Sequence, residues 1–205
     1  MGSGEALELG SSGNADALLV HSPAAEQEFM ADGDGSSREA VMHNDFVVVG
    51  PPGDPAGVAG STDAVQAFDA IADAEARFVS RADDSGTHVK ELELWDEAGV
   101  DPAGEWYVET GQGMGETLTI TSQQQGYTLS DRGTYLATQS LDLDVLLERS
   151  DDLLNFYHVI VVDDPAANPA CATAFRDWLV APETQRRIGD FGVEEYGQPL
   201  FVPDA

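Results

Sequence analysis

The residues best suited to chemistry lie in one short stretch, 80–88, with the sequence Ser-Arg-Ala-Asp-Asp-Ser-Gly-Thr-His. Arg81 supplies a permanent positive charge with several N–H donors, and Ser85 and Thr87 add hydroxyl groups. Gly86 lets the backbone come close to a ligand. Such a set of donors could bind a tetrahedral oxyanion. The same residues could also be purely structural, with Ser85 capping a helix and Arg81 paired with a neighbouring aspartate.

Two aspartates in this stretch, Asp83 and Asp84, bear on which anion could bind. A fully deprotonated tetrahedral anion offers only acceptors, so its site should present only donors. The two carboxylates must then face away, orient Arg81, or accept hydrogen bonds from the nearby hydroxyl or imidazole groups. A carboxylate aimed at the ligand would need a proton on that ligand, and hydrogen phosphate would be favoured over a dianion without a proton.

The flanking sequence predicts a strand before this stretch and a helix after it. Residues 77–79 form a short apolar run, and Gly99 closes the helical pattern that follows. The apolar side chains expected on one face of this helix are Val89, Leu92, Trp95 and Ala98. The first N–H groups of a helix have no internal partner, and the helix dipole adds partial positive charge there. The stretch is therefore predicted to be a tight loop at a helix N-terminus.

Composition limits the classes of partner. The chain of 205 residues has 38 acidic residues against 9 Lys and Arg, a net charge of −29, and Lys90 is its only lysine. Nucleic acid and anionic membrane surfaces are disfavoured, because both need a basic face. An apolar content of 42% is enough for a packed core. Acidic residues spread between apolar segments, with so little lysine, are typical of proteins from extreme halophiles.

The sequence predicts neither a metal centre nor a membrane span. Cys171 is the only cysteine, so an internal disulfide is excluded and the residue is expected in the core. The four histidines show no metal-ligand spacing. No run is long enough to cross a membrane, and the sequence begins without the basic and apolar regions of a signal segment. No cofactor is expected beyond the bound ligand itself.

Short apolar strands alternate with helices, which predicts an α/β fold with a mainly parallel sheet. Two strong strands, 46–49 and 157–162, bracket the middle of the chain. They indicate two lobes joined by two crossovers. Lobe I is predicted to comprise 1–49 and 163–205, and lobe II, which carries the anion-binding loop, 50–162. The ligand is expected in the cleft between the lobes.

Two further features are candidates for the site. The glycine-rich segment 111–115 precedes another predicted helix, but no Lys-Ser or Lys-Thr follows, so a nucleotide P-loop is excluded. A phosphate-type loop and a flexible loop both remain possible interpretations of this segment. Arg132 stands at the start of a further helix beside Asp131. Its side chain could reach into a cleft or could be structural.

Motifs spread through nearly the whole chain match one known family. In chain order these are the segments 2–7, 16–17, 20–26, 44–51, 78–81, 83–88, 106–107, 109–115, 131–134, 175, 178–179, 201 and 203–205. Through them the chain resembles the TupA-type tungstate-binding proteins, the substrate-binding components of ABC importers. The resemblance implies the two-lobe type II periplasmic-binding-protein fold, an extracellular or surface-anchored location, and an ABC transporter permease as partner.

By this resemblance Arg81 and Thr87 are expected to contact the bound oxyanion, while Ser80, Ser85 and Gly86 shape the loop. The expected ligand is tungstate, with a molybdate- or phosphate-type oxyanion as the alternative. The stretch alone does not separate these ligands, because phosphate-binding relatives look similar there. Tungsten would be present only as the oxyanion and not as a protein-bound metal ion.

The sequence departs from the family at its start. Family members begin with a strand carrying a Thr-Thr-Thr-Ser segment, whose donors form the other half of the site, and this segment is absent here. The first lobe is therefore expected to be incomplete at its N-terminus. Ser22, at the end of a strand in that lobe, is a further candidate ligand residue. A truncated sensor or an inactive remnant of a binding protein is the alternative.

An enzyme is the rival class, because Asp, Ser and His lie close together in the stretch 80–88. The spacing gives no nucleophile elbow, and His88 lies only three residues from Ser85 on one helical turn. Binding rather than catalysis is therefore the predicted activity.

Overall fold

The computed structural model describes residues 2–164 and 168–205, and the chain divides into two compact units. Unit 1 comprises Met1–Asn44 and Asn155–Ala205, and unit 2 comprises Asp45–Leu154. The strands are β1 (Ala17–Val20), β2 (Gly35–Gly50), β3 (Phe78–Ser80), β4 (Tyr107–Glu109), β5 (Thr128–Asp131), β6 (Asp144–Leu147), β7 (Leu154–Val162) and β8 (Val202–Pro203). The helices are α1 (Ser3–Ser11), α2 (Pro23–Asp32), α3 (Ala64–Asp73), α4 (Gly86–Glu97), α5 (Met114–Gln124), α6 (Arg132–Ala137), α7 (Pro169–Val180), α8 (Pro182–Asp190) and α9 (Val193–Tyr196).

The strands of unit 2 bring the stretch 80–88 to one edge of a small parallel sheet. The last part of β2 pairs antiparallel with β5 and β6. Strands β3 and β4 pair in parallel, and Phe78 also bridges in parallel to Tyr127. Because parallel strands end at the same edge, the residues that follow β3 and β4 lie close together.

An aromatic cluster holds α4 against β3. Phe68 on α3, Phe78 on β3 and Trp95 on α4 are buried, and their ring centroids lie 4.4 to 5.3 Å apart. Burying side chains of this size stabilises the fold by about 2–3 kcal/mol each. The loop between β3 and α4 is therefore anchored at both ends by the same core.

Unit 1 is built around β7, which lies between β1 and the first part of β2. Strand β1 pairs antiparallel with β7, and β8 pairs antiparallel with β2 at residues 42–43. One cluster packs Leu18 and Ile160 against Phe29 of α2. A second cluster joins Val159 of β7 to Leu179 of α7. None of the helices in the described ranges is both long enough and apolar enough to span a membrane.

The buried face of α4 differs from the predicted one. Val89 and Leu92 are 46% and 44% exposed. The buried side chains on this helix are instead Thr87, His88, Glu91, Leu94 and Trp95. These positions share one helical face, which is rotated by about one residue from the expected face. The prediction is confirmed for Trp95 and Ala98 and was wrong for Val89 and Leu92, because it followed apolar residues, whereas the core here accepts a histidine and a glutamate.

The mixed α/β fold was predicted and is confirmed, but strand directions and partners differ from expectation. Antiparallel pairs join β1 to β7 and β2 to β5, β6 and β8. The unit boundaries fall after residues 44 and 154, whereas the predicted lobes divided after residues 49 and 162. The reason is pairing: 46–49 joins the strands of unit 2, and 157–162 joins β1 in unit 1. Cys171 is exposed and is not a core residue.

Candidate functional site

The loop between β3 and α4 contains residues in the left-handed region of backbone conformation. Ala82 has φ 48° and Asp84 has φ 57°, a conformation that costs non-glycine residues about 1 kcal/mol or more. Two hydrogen bonds compensate for this cost. The Ala82 N–H donates to Ser80 Oγ (3.2 Å), and the Asp84 N–H donates to His88 Nδ1 (3.1 Å). Side chains at both ends of the loop therefore fix its shape.

Ser85 caps α4, as the structural interpretation of the stretch requires. Its hydroxyl accepts from the His88 N–H (3.4 Å), and its carbonyl accepts from the Val89 N–H (2.9 Å). The cap leaves the backbone N–H groups of Gly86 and Thr87 without a partner in the described part of the chain. The capped helix therefore still presents free donors.

Arg81 is partly engaged and partly free. Its Nη2 donates to Asp83 Oδ2 (2.5 Å), and its Nη1 donates to Thr87 Oγ1 (3.5 Å). Its Nε is buried and has no hydrogen-bond partner among residues 2–164 and 168–205. An unsatisfied buried donor costs about 1–3 kcal/mol, so an added acceptor at this position would be favourable. The Thr87 hydroxyl accepts from Arg81 and donates to no acceptor in the same ranges.

Neither aspartate of the loop is available as an unpaired acceptor in the site. Asp83 accepts from Arg81 through Oδ2 and from the Ser85 N–H through Oδ1. Burial alone would raise the pKa of Asp83, but the hydrogen bonds from Ser85 and Arg81 outweigh it and lower the pKa. The Asp84 side chain is fully exposed to solvent. The loop therefore presents donors, with Asp83 orienting Arg81.

The side chain of Glu91 is buried and is hydrogen-bonded to Ser80, the first residue of the stretch 80–88. Glu91 is 2% exposed, and it accepts from Ser80 Oγ (2.9 Å) and from the Tyr107 hydroxyl (2.8 Å). Desolvation raises the pKa of Glu91 to about 7, although the hydrogen bonds from Tyr107 and Ser80 lower it, and nearby Glu109 raises it further. Desolvation and the charge of Glu91 likewise raise the pKa of Tyr107. This carboxylate can therefore change protonation near neutral pH.

Thr110, directly after β4, joins the glycine-rich segment to the anion loop. Its Oγ1 and its N–H both donate to the Ser80 carbonyl, at 2.9 and 3.1 Å. The segment 111–115 leads into α5, with Gly113 at the N-cap and no side-chain cap. The predicted loop before a helix is therefore confirmed. A role for this segment in anion binding stays a prediction.

Arg132 is held by two carboxylates. Its Nε and Nη2 donate to the two oxygens of Asp45 at 2.8 and 2.5 Å, and its Nη2 lies 2.7 Å from Glu148 Oε2. The side chain is only 11% exposed. Of the two interpretations of Arg132, this geometry favours the structural one, because the guanidinium is already neutralised by carboxylates.

Arg132→Ala is expected to lower the free energy of unfolding by about 2 kcal/mol, because it leaves Asp45 and Glu148 facing each other without a cation. Urea unfolding at fixed salt measures this change. Arg149→Ala is the matched control: this exposed arginine touches the same Glu148 and should change the free energy by less than about 0.5 kcal/mol. A stably folded R132A protein that lost only its affinity for oxyanions would contradict the structural role.

Ser22 belongs to unit 1. It is the N-cap of α2, and its hydroxyl makes no capping hydrogen bond. Its N–H donates to Glu26 Oε1 (2.7 Å), and the buried Glu26 also pairs with Arg38 and with His158. This network fixes the backbone at Ser22. A contact between Ser22 and the ligand stays a prediction.

Sequence reasoning missed three residues of the site region: Glu91, Tyr107 and Thr110. Glu91 lies four residues after Thr87 and four before Trp95, so helical spacing alone places it on their face. Tyr107 and Thr110 lie in the family-matching segments 106–107 and 109–115, but their contacts to Glu91 and Ser80 could not be predicted because they depend on the pairing of β3 with β4. In the described ranges, no group of three or more His, Cys, Asp or Glu side chains could hold a metal ion.

Comparison with known proteins agrees with this architecture. The family model described as a PBP superfamily domain matches residues 1–183. The tungstate-binding protein TupA of Peptoclostridium acidaminophilum is 46% identical over 211 residues, which cover 100% of this chain and 74% of that protein. A protein of Haloferax volcanii, whose name provisionally assigns it to anion binding in an ABC transporter, is 48% identical over 100% of this chain and 62% of its own length.

A solved structure gives the same result. The tungstate-binding protein TupA of Desulfovibrio alaskensis G20 superposes with a TM-score of 0.88 at 40% identity, covering 100% of this chain and 85% of that one. The resemblance predicted from the sequence motifs is confirmed, as is the periplasmic-binding-protein type of α/β fold. The chain belongs to the PBP superfamily and, within it, to the family of its TupA relatives.

Proposed function

We propose that this chain is the substrate-binding component of an ABC importer and that it binds tungstate through the loop 80–88. The TupA relatives support the ligand class, because they are named for tungstate binding. The observation that carries the proposal is the set of loop donors that have no acceptor in the described part of the chain. These are the N–H groups of Gly86 and Thr87, the Thr87 hydroxyl, and the buried Nε of Arg81.

The arrangement of carboxylates favours a dianion that carries no proton. Asp83 is directed at Arg81 and Ser85, and Asp84 faces solvent, so neither is left to accept a proton from the ligand. Tungstate and molybdate fit such a site, whereas hydrogen phosphate would leave its own proton without an acceptor. The preference for tungstate over molybdate comes from the relatives' names.

The transport assignment brings further expectations. The chain would act outside the cytoplasmic membrane, deliver its ligand to a permease, and need no cofactor. It would bind its ligand without chemical conversion, as expected from relatives that are binding proteins rather than enzymes. The net charge of −29 would slow the capture of a dianion, and high salt would reduce this repulsion.

A thermal-shift assay in multimolar KCl tests the proposal, with tungstate, molybdate, sulfate and phosphate compared at equal concentration. A ligand bound only by the folded state, present at 100 times its Kd, contributes about 2.7 kcal/mol. We therefore expect tungstate to raise the melting temperature by about 5 °C or more. No shift with any of the four anions would contradict binding by this chain. A larger shift with phosphate than with tungstate would contradict the proposed ligand.

A further inference from the structure

A single hydrogen bond separates the buried Glu91 from the anion loop. We propose that Glu91 is a positioning residue, which holds the loop through Ser80 and takes up a proton when an oxyanion binds. This inference rests on the proposed function, and it adds a pH linkage to the same site.

A continuous chain of hydrogen bonds carries the positioning role. The Tyr107 hydroxyl donates to one oxygen of Glu91, and Ser80 Oγ donates to the other. Ser80 Oγ in turn accepts from the N–H of Ala82, whose backbone is left-handed. With its hydrogen directed at Glu91, the Ser80 hydroxyl keeps a lone pair aimed at Ala82. Glu91 therefore fixes the hydroxyl that holds the first turn of the loop.

The described groups around Glu91 do not neutralise its negative charge, so a second negative charge nearby would raise its pKa. Tyr107 and Glu109 face it from β4, and Ser80 faces it from β3. On its own helix, the buried neighbours one turn away are Thr87 and His88 before Glu91 and Leu94 and Trp95 after it. From α3 and β5, Phe68 and Leu129 enter the same apolar core. Among the described residues no ion pair joins Glu91 to a cation, and Arg81 is engaged by Asp83 instead.

A dianion bound at the loop would add negative charge close to a carboxylate that no cation offsets within residues 2–164 and 168–205. Like charges favour the neutral form of such a group. The pKa of about 7 means that part of the Glu91 population is ionised at neutral pH and available to accept a proton. Binding would therefore draw a proton from solvent onto Glu91.

The added proton has a defined place in this cluster. Placed on Oε1, it donates to the Tyr107 oxygen, which lies 2.8 Å away and then acts as acceptor. Ser80 continues to donate to Oε2, so the bond that holds the loop persists. Tyr107 is only partly buried, so its own hydrogen can turn toward water. The loop would therefore keep its conformation while the negative charge of Glu91 is removed.

Thermodynamic linkage makes this proton uptake visible as a pH effect on affinity. If the anion raises the pKa of Glu91 by one unit, tungstate should bind up to about tenfold more tightly below pH 6 than above pH 9. The same shift corresponds to uptake of about half a proton per anion near pH 7.5.

Isothermal titration calorimetry with tungstate measures this uptake directly, in molar KCl at pH 7.5 and in two buffers of different ionisation enthalpy. The wild-type protein should take up about half a proton per anion. Glu91→Gln mimics the protonated side chain, so it should show no uptake and should bind tungstate a few-fold more tightly than the wild type at this pH. Glu97→Gln is the matched control, because it removes an exposed carboxylate from the same helix and should leave the uptake unchanged.

Each outcome separates the inference from the proposed function. Binding without proton uptake by the wild-type protein would overturn the inference and leave the proposed function standing, as would uptake retained in E91Q. Failure of the wild-type protein to bind any oxyanion would overturn the proposed function, and the inference with it. If E91Q does not fold, Tyr107→Phe replaces it. Losing this donor should move the pH of maximal uptake upward, and an unmoved maximum would overturn the inference.

Discussion

Replacing Arg81 with alanine is expected to weaken tungstate binding by a factor of about 30 or more. Truncating one partner of a desolvated, hydrogen-bonded charge pair costs about 2–5 kcal/mol, which corresponds to this loss of affinity. Two effects combine here. The ligand loses the guanidinium donors, and Asp83, which Arg81 now neutralises, becomes an unpaired negative charge beside the anion. Calorimetric titration with tungstate at fixed molar salt measures the change.

Arg77→Ala is the matched control for this prediction. It removes the same charge from a chain of net charge −29, but Arg77 precedes β3 and donates to Gln124, whereas Arg81 follows the strand. Its affinity should stay within about twofold of the wild type, because long-range electrostatics are screened at molar salt. The tungstate affinity of Arg81→Lys should lie between those of the two alanine variants, since lysine keeps the positive charge but lacks the planar set of guanidinium donors. If the R81A and R77A proteins bound tungstate equally well, this would show that Arg81 is not a ligand-binding residue.

The free energy of unfolding is expected to fall by about 2 to 3 kcal/mol between pH 5 and pH 8 because of Glu91 alone. The pKa of this carboxyl rises from 4.5 to about 7 on folding, so the folded state holds the proton more tightly than the unfolded state. Its contribution is complete below about pH 4.5 and is lost as the pH rises through 7. The physical cause is the loss of hydration of the ionised carboxylate in the core of unit 2.

Urea unfolding of the wild-type protein and of Glu91→Gln, at the same KCl concentration and at several pH values, isolates this contribution. The glutamine variant has nearly the same shape and cannot ionise, so the difference in stability between the two proteins should change with pH as described. Other carboxylates titrate equally in both proteins and cancel from the difference. Glu97→Gln should give a difference below about 0.5 kcal/mol throughout. A pH-independent difference for E91Q would show that Glu91 is ionised in the folded protein across this range.

Local patterns in the sequence predicted the elements around the site. The apolar run before Ser80 forms β3, and Ser85 with Gly86 opens α4. The structural interpretation of the stretch holds, because Ser85 caps the helix and Arg81 pairs with Asp83. Anion binding stays a prediction, for which donors without a partner among the described residues are available. A helix cap satisfies only some of the N–H groups of the first turn, so capping and anion binding do not exclude each other.

Strand partners could not be predicted in the same way. The apolar segment 46–49 reads as a strand, but its residues do not show that it pairs antiparallel with β5 and β6 rather than with β1. The unit boundary therefore lies five residues earlier than predicted, between Asn44 and Asp45. Register and partner depend on contacts between residues that are far apart in the chain, and such contacts leave little local signal.

The sequence by itself determined which donors the loop can offer to a ligand. Arg81, Ser85, Gly86 and Thr87 form a set of donors, and the scarcity of lysine excludes the usual basic surfaces. The tertiary structure decided which groups control that set. In the folded chain Asp83 pairs with Arg81, and Arg132 pairs with carboxylates. Glu91 is buried and is hydrogen-bonded to Ser80 and Tyr107. A residue's type fixes which hydrogen bonds and charges it can offer. Its burial and its partners, which only the folded chain supplies, fix which of these it uses.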